Sequence, residues 1–195
     1  DRLIIWDEYG NEVWSWSTFD HISMDDYDDN GFANPTIGYF GWTHVNSFFY
    51  DERDNSVYIS VCHLNRIIKI DYASGDIIWN MGHQYPSGDV DFGHDLGFSR
   101  QHSITLSNAG NLLLFDNGIY SQAYWGAPAL TSRALEIAVS DANGNYSASI
   151  AFEYKLPNSN DDPYPNLYGS VSGGIQQLQN GNYLITTFGN SGVTL

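Results

Sequence analysis

The chain is poor in positive charge and almost without cysteine. Lysine and arginine number 7 against 23 aspartates and glutamates, an excess of 23 − 7 = 16 acids. A surface of that sign repels phosphate, which argues against nucleic acid and anionic membranes as partners. The single cysteine, Cys62, excludes a disulfide within the chain but does not fix the redox compartment. No apolar run is long enough to span a bilayer, so membrane insertion is not expected. No long window repeats apolar residues at i, i+3, i+4 and i+7, which leaves little room for helices. No secretory leader is visible.

What is present points to sheets. Aromatics make up 15% of the residues and glycine is plentiful at 19, a composition that favours strands joined by tight turns. Four strand-like runs follow one another in residues 43–82: HVNSFFYD, SVYISVC, NRIIKIDY and DIIWNMG. Turn signals ERDN and ASG separate the outer pairs, and Cys62-His63-Leu64 joins the middle two. This is the pattern of an antiparallel meander the size of a propeller blade. Residues 101–155 repeat it with an insert, residues 173–195 begin it again, and residues 1–17 resemble the end of a blade. The expected fold is therefore all-β, about three blade equivalents of a β-propeller in one partial domain. Three do not close a ring, so the segment is expected to belong to a longer chain or to associate, for example as a homo-oligomer. Trp14, Trp16 and Trp79 fall on fourth strands and are expected in the core.

Two copies open on a histidine. His44 in GWTHVNSFFYD and His102 in RQHSITLS start the first strand of their blades, and the third copy aligns Gly174 there. First strands line the channel of a propeller, so both imidazoles would face one mouth of it. A single histidine is more often a surface or satisfied core residue; two in register shift the balance toward function.

The ordered set of motifs resembles the arylsulfotransferase family. WTHVNS, the IxKID...G.I.W..G run, QHSITLSNAGNLLLFDNG, SRALEI and GGIQQLQNGNYLITTFG occur in the order of that family's elements. The resemblance implies a six-bladed propeller, found in periplasmic or secreted proteins. Its activity would move a sulfuryl group from an aryl sulfate donor to a phenolic acceptor through a sulfated histidine, with no nucleotide cofactor. It also implies active-site roles for His44, His102 and Arg133. The family often carries arginine where this chain has Cys62, and the histidine that takes the sulfuryl group has no counterpart that a motif places here.

The chemistry suits those residue types. Transfer of this kind spreads charge over non-bridging oxygens, so the protein mainly positions and stabilises. A guanidinium offers paired donors to those oxygens, and an imidazole can attack sulfur or move a proton. Arg66 and Arg100 are expected to be surface arginines in weak ion pairs. Tyr120, Tyr124 and Trp125 could line an aryl pocket, although packing explains them as readily. Asp26, Asp28 and Asn30 in DDYDDNG match the start of a calcium loop, but Ile37 stands where its bidentate acid belongs, and a solvated acidic turn competes. His83 and His94 match no zinc spacing. Two other readings compete with the transferase: a non-catalytic extracellular propeller that binds a ligand or partner, and a quinone-dependent dehydrogenase suggested by a single tryptophan-repeat-like run.

Overall fold

The computed structural model describes residues 1–28, 33–34, 39–158 and 166–188. β1 (Arg2–Trp6) and β2 (Glu12–Ser17) form an antiparallel hairpin. Asp7 closes its turn by accepting from the backbone N–H of Tyr9 at 2.9 Å and of Asn11 at 2.8 Å. A short helix α1 (Thr18–His21), capped by the Ser17 hydroxyl, leads to the small pair β3 (Ala33–Asn34) and β4 (Tyr39–Phe40).

Two four-stranded antiparallel meanders follow. The first runs in spatial order through β5 (Val45–Asp51), β6 (Ser56–Val61), β7 (Arg66–Asp71) and β8 (Ile77–Gly82). One turn of 3-10 helix, Cys62–Leu64, joins β6 to β7, and Asn65 ends it with φ of 48°. The second meander comprises β9 (His102–Leu106), β10 (Leu112–Asp116), β11 (Arg133–Ala142) and β12 (Asn145–Lys155). Its insert carries a five-residue helix α2 (Ser121–Trp125). β13 (Val171–Gln177) and β14 (Tyr183–Phe188) form a further antiparallel pair.

Strand periodicity explains how these sheets stack. Side chains alternate between faces, so neighbours along one strand serve different cores. Ile67 packs into the core between the two meanders with Trp79, Met81, Leu112, Leu114 and Leu135, while Ile68 packs on the opposite face with Trp16, Val57 and Ile59. Likewise Leu114 faces the first meander, and Leu113 and Phe115 face Ile175 and Ile185 of the β13–β14 pair. Each of these side chains contributes about 1.5–3 kcal/mol by leaving water. The Trp14 and Trp16 indoles tie the β1–β2 hairpin to the first meander by donating to Tyr72 O and Gly75 O, each at 3.0 Å. Trp16 and Trp79 lie in the core as expected, whereas Trp14 is half-buried.

The first strands lie side by side. β5 runs against β9, and β9 against β13. Ile104 N–H donates to Ser47 Oγ at 3.0 Å, Asn46 Nδ2 to Gln101 O at 2.7 Å, and Ser103 Oγ to Gly173 O at 2.7 Å. Strand register corrects one alignment. In the second meander His102 pairs with Phe115, Ser103 has φ of 57°, and pairing resumes with Thr105 and Leu113. In the last pair Val171 meets Phe188, Ser172 has φ of 54°, and pairing resumes with Gly174 and Thr186. Val171, and not Gly174, therefore occupies the place of His102. In the first meander the left-handed residue is His44 itself, with φ of 50°. The two histidines leave the backbone one step apart, a shift that a gapless alignment of strands hides.

Candidate active site

The site grows from the strand ends that face one another across β5, β6 and β9. His44 precedes β5, and the 3-10 turn after β6 puts His63 beside it. Backbone bonds lock the two segments: Cys62 N–H donates to His44 O and His63 N–H to Thr43 O, both at 3.1 Å. The rings stack with centroids 4.6 Å apart and planes 21° from parallel. His63 is 2% exposed, and its Nδ1–H donates to Gly41 O at 2.5 Å. Burial drives its pKa down to about 4, so it is neutral at neutral pH. His44 keeps one side in solvent. Its pKa is lowered by desolvation of the other side, then by the charges of His102 and Arg100.

His102 is held by its Nδ1. That atom lies 2.9 Å from Arg100 O and 2.7 Å from Asn117 Oδ1. Both are acceptors, so Nδ1 carries the hydrogen and the neutral ring keeps its lone pair on Nε2.

Arg100 sits at the centre. It is 4% exposed, has φ of 55°, and its Nη2 donates to Asp28 Oδ2 at 2.9 Å. Its backbone N–H donates to Asn65 Oδ1 at 2.9 Å. Its charge depresses the pKa of both His44 and His63, after burial in each case. The same charge partly offsets the burial that pushes the Cys62 thiol up to about 11, a value that keeps it protonated and unreactive. The expectation of surface ion pairs for Arg66 and Arg100 is thus overturned. Arg66 is 1% exposed and its Nη2 donates to Asp26 Oδ2 at 2.7 Å. Residues 26–28 fold over both guanidinium groups and remove them from water.

That same fold answers the calcium motif. The Asp26 carboxylate also accepts from Ser87 N–H at 3.0 Å and Ser87 Oγ at 2.7 Å. The Asp28 carboxylate takes the Tyr120 hydroxyl at 2.7 Å as well as Arg100. The two carboxylates serve different arginines instead of converging on one point, and Asn30 lies outside the described residues. Among the described residues no three His, Cys, Asp or Glu side chains gather as a metal site. Among the described residues, Asp26 and Asp28 offer no shared point for a cation.

A wall of phenols flanks Arg100. Asn65 Nδ2 donates to Tyr85 Oη at 3.1 Å and reaches Tyr124 Oη at 3.5 Å. Tyr124 stacks on His83 at 4.6 Å and lies 5.2 Å from Tyr120. Burial, reinforced by the Asp28 charge, raises the pKa of Tyr85, Tyr120 and Tyr124, so all three stay protonated. Trp125 is not part of this wall; Arg133 and Lys155 lie over its ring at 4.7 and 4.8 Å.

Arg133, the third residue expected in catalysis, makes none of its hydrogen bonds to the histidines. Its Nε donates to Asp116 Oδ2 at 2.7 Å, its Nη1 to Glu153 Oε1 at 2.9 Å and its Nη2 to Leu96 O at 3.0 Å. Every nitrogen is engaged in the interior, and Asp116 on the paired strand is the reason. Among the described residues Arg100 holds the position beside the imidazoles.

The chain from residue 1 to residue 194 matches the family model described as Arylsulfotransferase (ASST). The chain belongs to the arylsulfotransferase family. No curated protein matches it. In this member of the family, His63, Arg100, Asp28 and Asn117 gather around His44 and His102, the two histidines that the sequence singled out. The register of the hairpin β5–β6, which sets residues 43–44 before one strand against residues 62–63 after the next, is the signal that could have found His63.

Proposed function

We propose that the chain is a β-propeller sulfotransferase that moves a sulfuryl group from an aryl sulfate to a phenol through a histidine intermediate. Stacked antiparallel sheets with their first strands side by side support the propeller reading, since that is how blades surround an axis. The observation that carries the chemistry is the meeting of His44, His63, His102 and Arg100 at one end of those strands. In a chain with 16 more acids than bases, a guanidinium and several imidazole N–H donors gathered in one place suit an anion.

A neutral ring nitrogen forms a bond to sulfur while the sulfur–oxygen bond breaks and its electron pair leaves on the phenolate. His102, once it has taken up a proton on Nε2, gives that proton to the departing oxygen. In the second half the acceptor phenol returns a proton to Nε2 and attacks sulfur, and the nitrogen–sulfur pair goes back to the ring. Arg100 supplies charge to the non-bridging oxygens, where it gathers in a loose transition state. His44, kept neutral, donates a ring N–H to one of them, and Tyr85, Tyr120 and Tyr124 offer aromatic faces to the aryl groups. We further infer a periplasmic or secreted location.

A chromogenic aryl sulfate tests this reading. Phenol release that depends on an added phenolic acceptor, with the sulfated acceptor recovered, supports transfer. Release without acceptor would indicate a sulfatase, and binding without release a ligand-binding propeller; either result overturns the reading.

A further inference from the structure

Asn117 is fully buried just beyond β10, and no motif or resemblance gives it a role. Both hydrogens of its amide are spoken for. Nδ2 donates to Gly169 O at 2.7 Å and to Ser172 O at 2.8 Å. Its own backbone carbonyl accepts from Ser132 Oγ at 2.9 Å. The amide cannot turn over, because its oxygen would then face two carbonyl oxygens. Oδ1 is therefore fixed toward His102 Nδ1, at 2.7 Å. The second neighbour of that nitrogen, Arg100 O at 2.9 Å, is also an acceptor only.

We propose that Asn117 is a positioning residue that confines His102 to the tautomer with hydrogen on Nδ1, so that Nε2 is the sole atom at which this ring exchanges a proton. The Nδ1–H form is the less stable tautomer of free histidine, so it has to be held. Partners on the far nitrogen commonly set which nitrogen of an imidazole reacts. The arrangement also ties the ring to the β13–β14 pair: Ser172 lies in β13, and Ser103, next to His102, donates to Gly173 O at 2.7 Å. Seating of that pair and tautomer choice at His102 are one event. This inference rests on the proposed acid–base role of His102, but its principal test does not need activity.

Nitrogen-15 NMR of histidine-labelled full chain, with the His102 signals assigned by His102→Gln, reads the tautomer directly. The expected wild-type spectrum has hydrogen on Nδ1 and a lone pair on Nε2. In Asn117→Ala the two forms mix, and turnover falls about 10–100-fold. Asn117→Ser, smaller and still polar, keeps the test open if the alanine variant fails to fold. A wild-type ring with hydrogen on Nε2 would overturn the proposal, as would an unchanged tautomer in a folded Asn117 variant, even one that has lost turnover. If the wild-type chain transfers no sulfuryl group but shows the expected tautomer and its mixing, the positioning role stands and the functional reading fails alone.

Discussion

The imidazole of His63 lies against that of His44, centroids 4.6 Å apart, with His63 buried and neutral and His44 partly in water. A buried ring thus supports a partly exposed one, and the backbone bonds between residues 43–44 and 62–63 keep the pair together.

This pairing gives the fold a defined response to acid. His63 has a folded pKa of about 4 against an ordinary 6.5. Between those values the unfolded chain binds a proton that the folded chain refuses, so stability is fully present above 6.5 and falls as pH drops toward 4. The slope from this one group is at most about 1.4 kcal/mol per pH unit. Urea midpoints measured at descending pH should fall through this window in the wild type and fall less in His63→Phe, which keeps an aromatic ring but cannot titrate. Equal slopes in both would remove His63 as the cause.

Asp28 neutralises Arg100 inside the protein. Asp28→Asn leaves a buried guanidinium without its counter-charge and should cost roughly 3–5 kcal/mol of unfolding free energy. Tyr120→Phe removes one hydrogen bond to the same carboxylate and should cost about 1.5–3 kcal/mol. The double variant Asp28→Asn with Arg100→Met should be more stable than Asp28→Asn alone. Denaturant titration of the set decides, and a double variant weaker than the single would show that the two residues do not act as a pair.

Arg133 is bound to Asp116 and Glu153 in the interior, so its removal is primarily a structural injury. Arg133→Ala should lose roughly 3–5 kcal/mol, and its remaining turnover should follow the fraction folded. Arg100→Met should lose turnover even where the chain is fully folded. Turnover per folded molecule, measured alongside circular dichroism, separates the two; full activity in folded Arg100→Met would return the anion-binding role to another residue.

Leu114 has no exposure and packs between the two meanders. Leu114→Ala should cost about 2–5 kcal/mol. A much smaller loss would mean that the sheets are not packed face to face there.

The meanders were legible because alternating apolar residues and Gly- or Asn-containing turns leave few alternatives to antiparallel strands. His44 and His102 were legible because each stands at the head of such a strand. Arg100 was not, since its partner Asp28 is 72 residues away and its burial comes from a loop folding back. The interior bonding of Arg133 was hidden for the same reason: nothing local announces that Asp116 waits on the facing strand. Asp26 and Asp28 spell a cation motif, yet the cations they meet are guanidinium groups from β7 and from the segment before β9. Asn117 was visible within FDNG. Gly118 beside it is needed in that turn: it has φ of 67°, and a Cβ there would lie 1.8 Å from Thr131 O. The role of Asn117, however, depends on the carbonyls of Gly169 and Ser172, which no spacing reveals.

The most direct test is to trap the group in transit. The wild-type chain is mixed with aryl sulfate carrying sulfur-35, without acceptor, and quenched in alkali, where a sulfated imidazole survives. Protein-bound label that is lost in acid, passes to phenol on its addition, and is absent from His44→Ala and His102→Ala is the expected result, and peptide mapping then names the ring that carries it. Aryl sulfate that binds but leaves no label, or label that both alanine variants retain in full, would contradict a sulfuryl-transfer site built on these histidines.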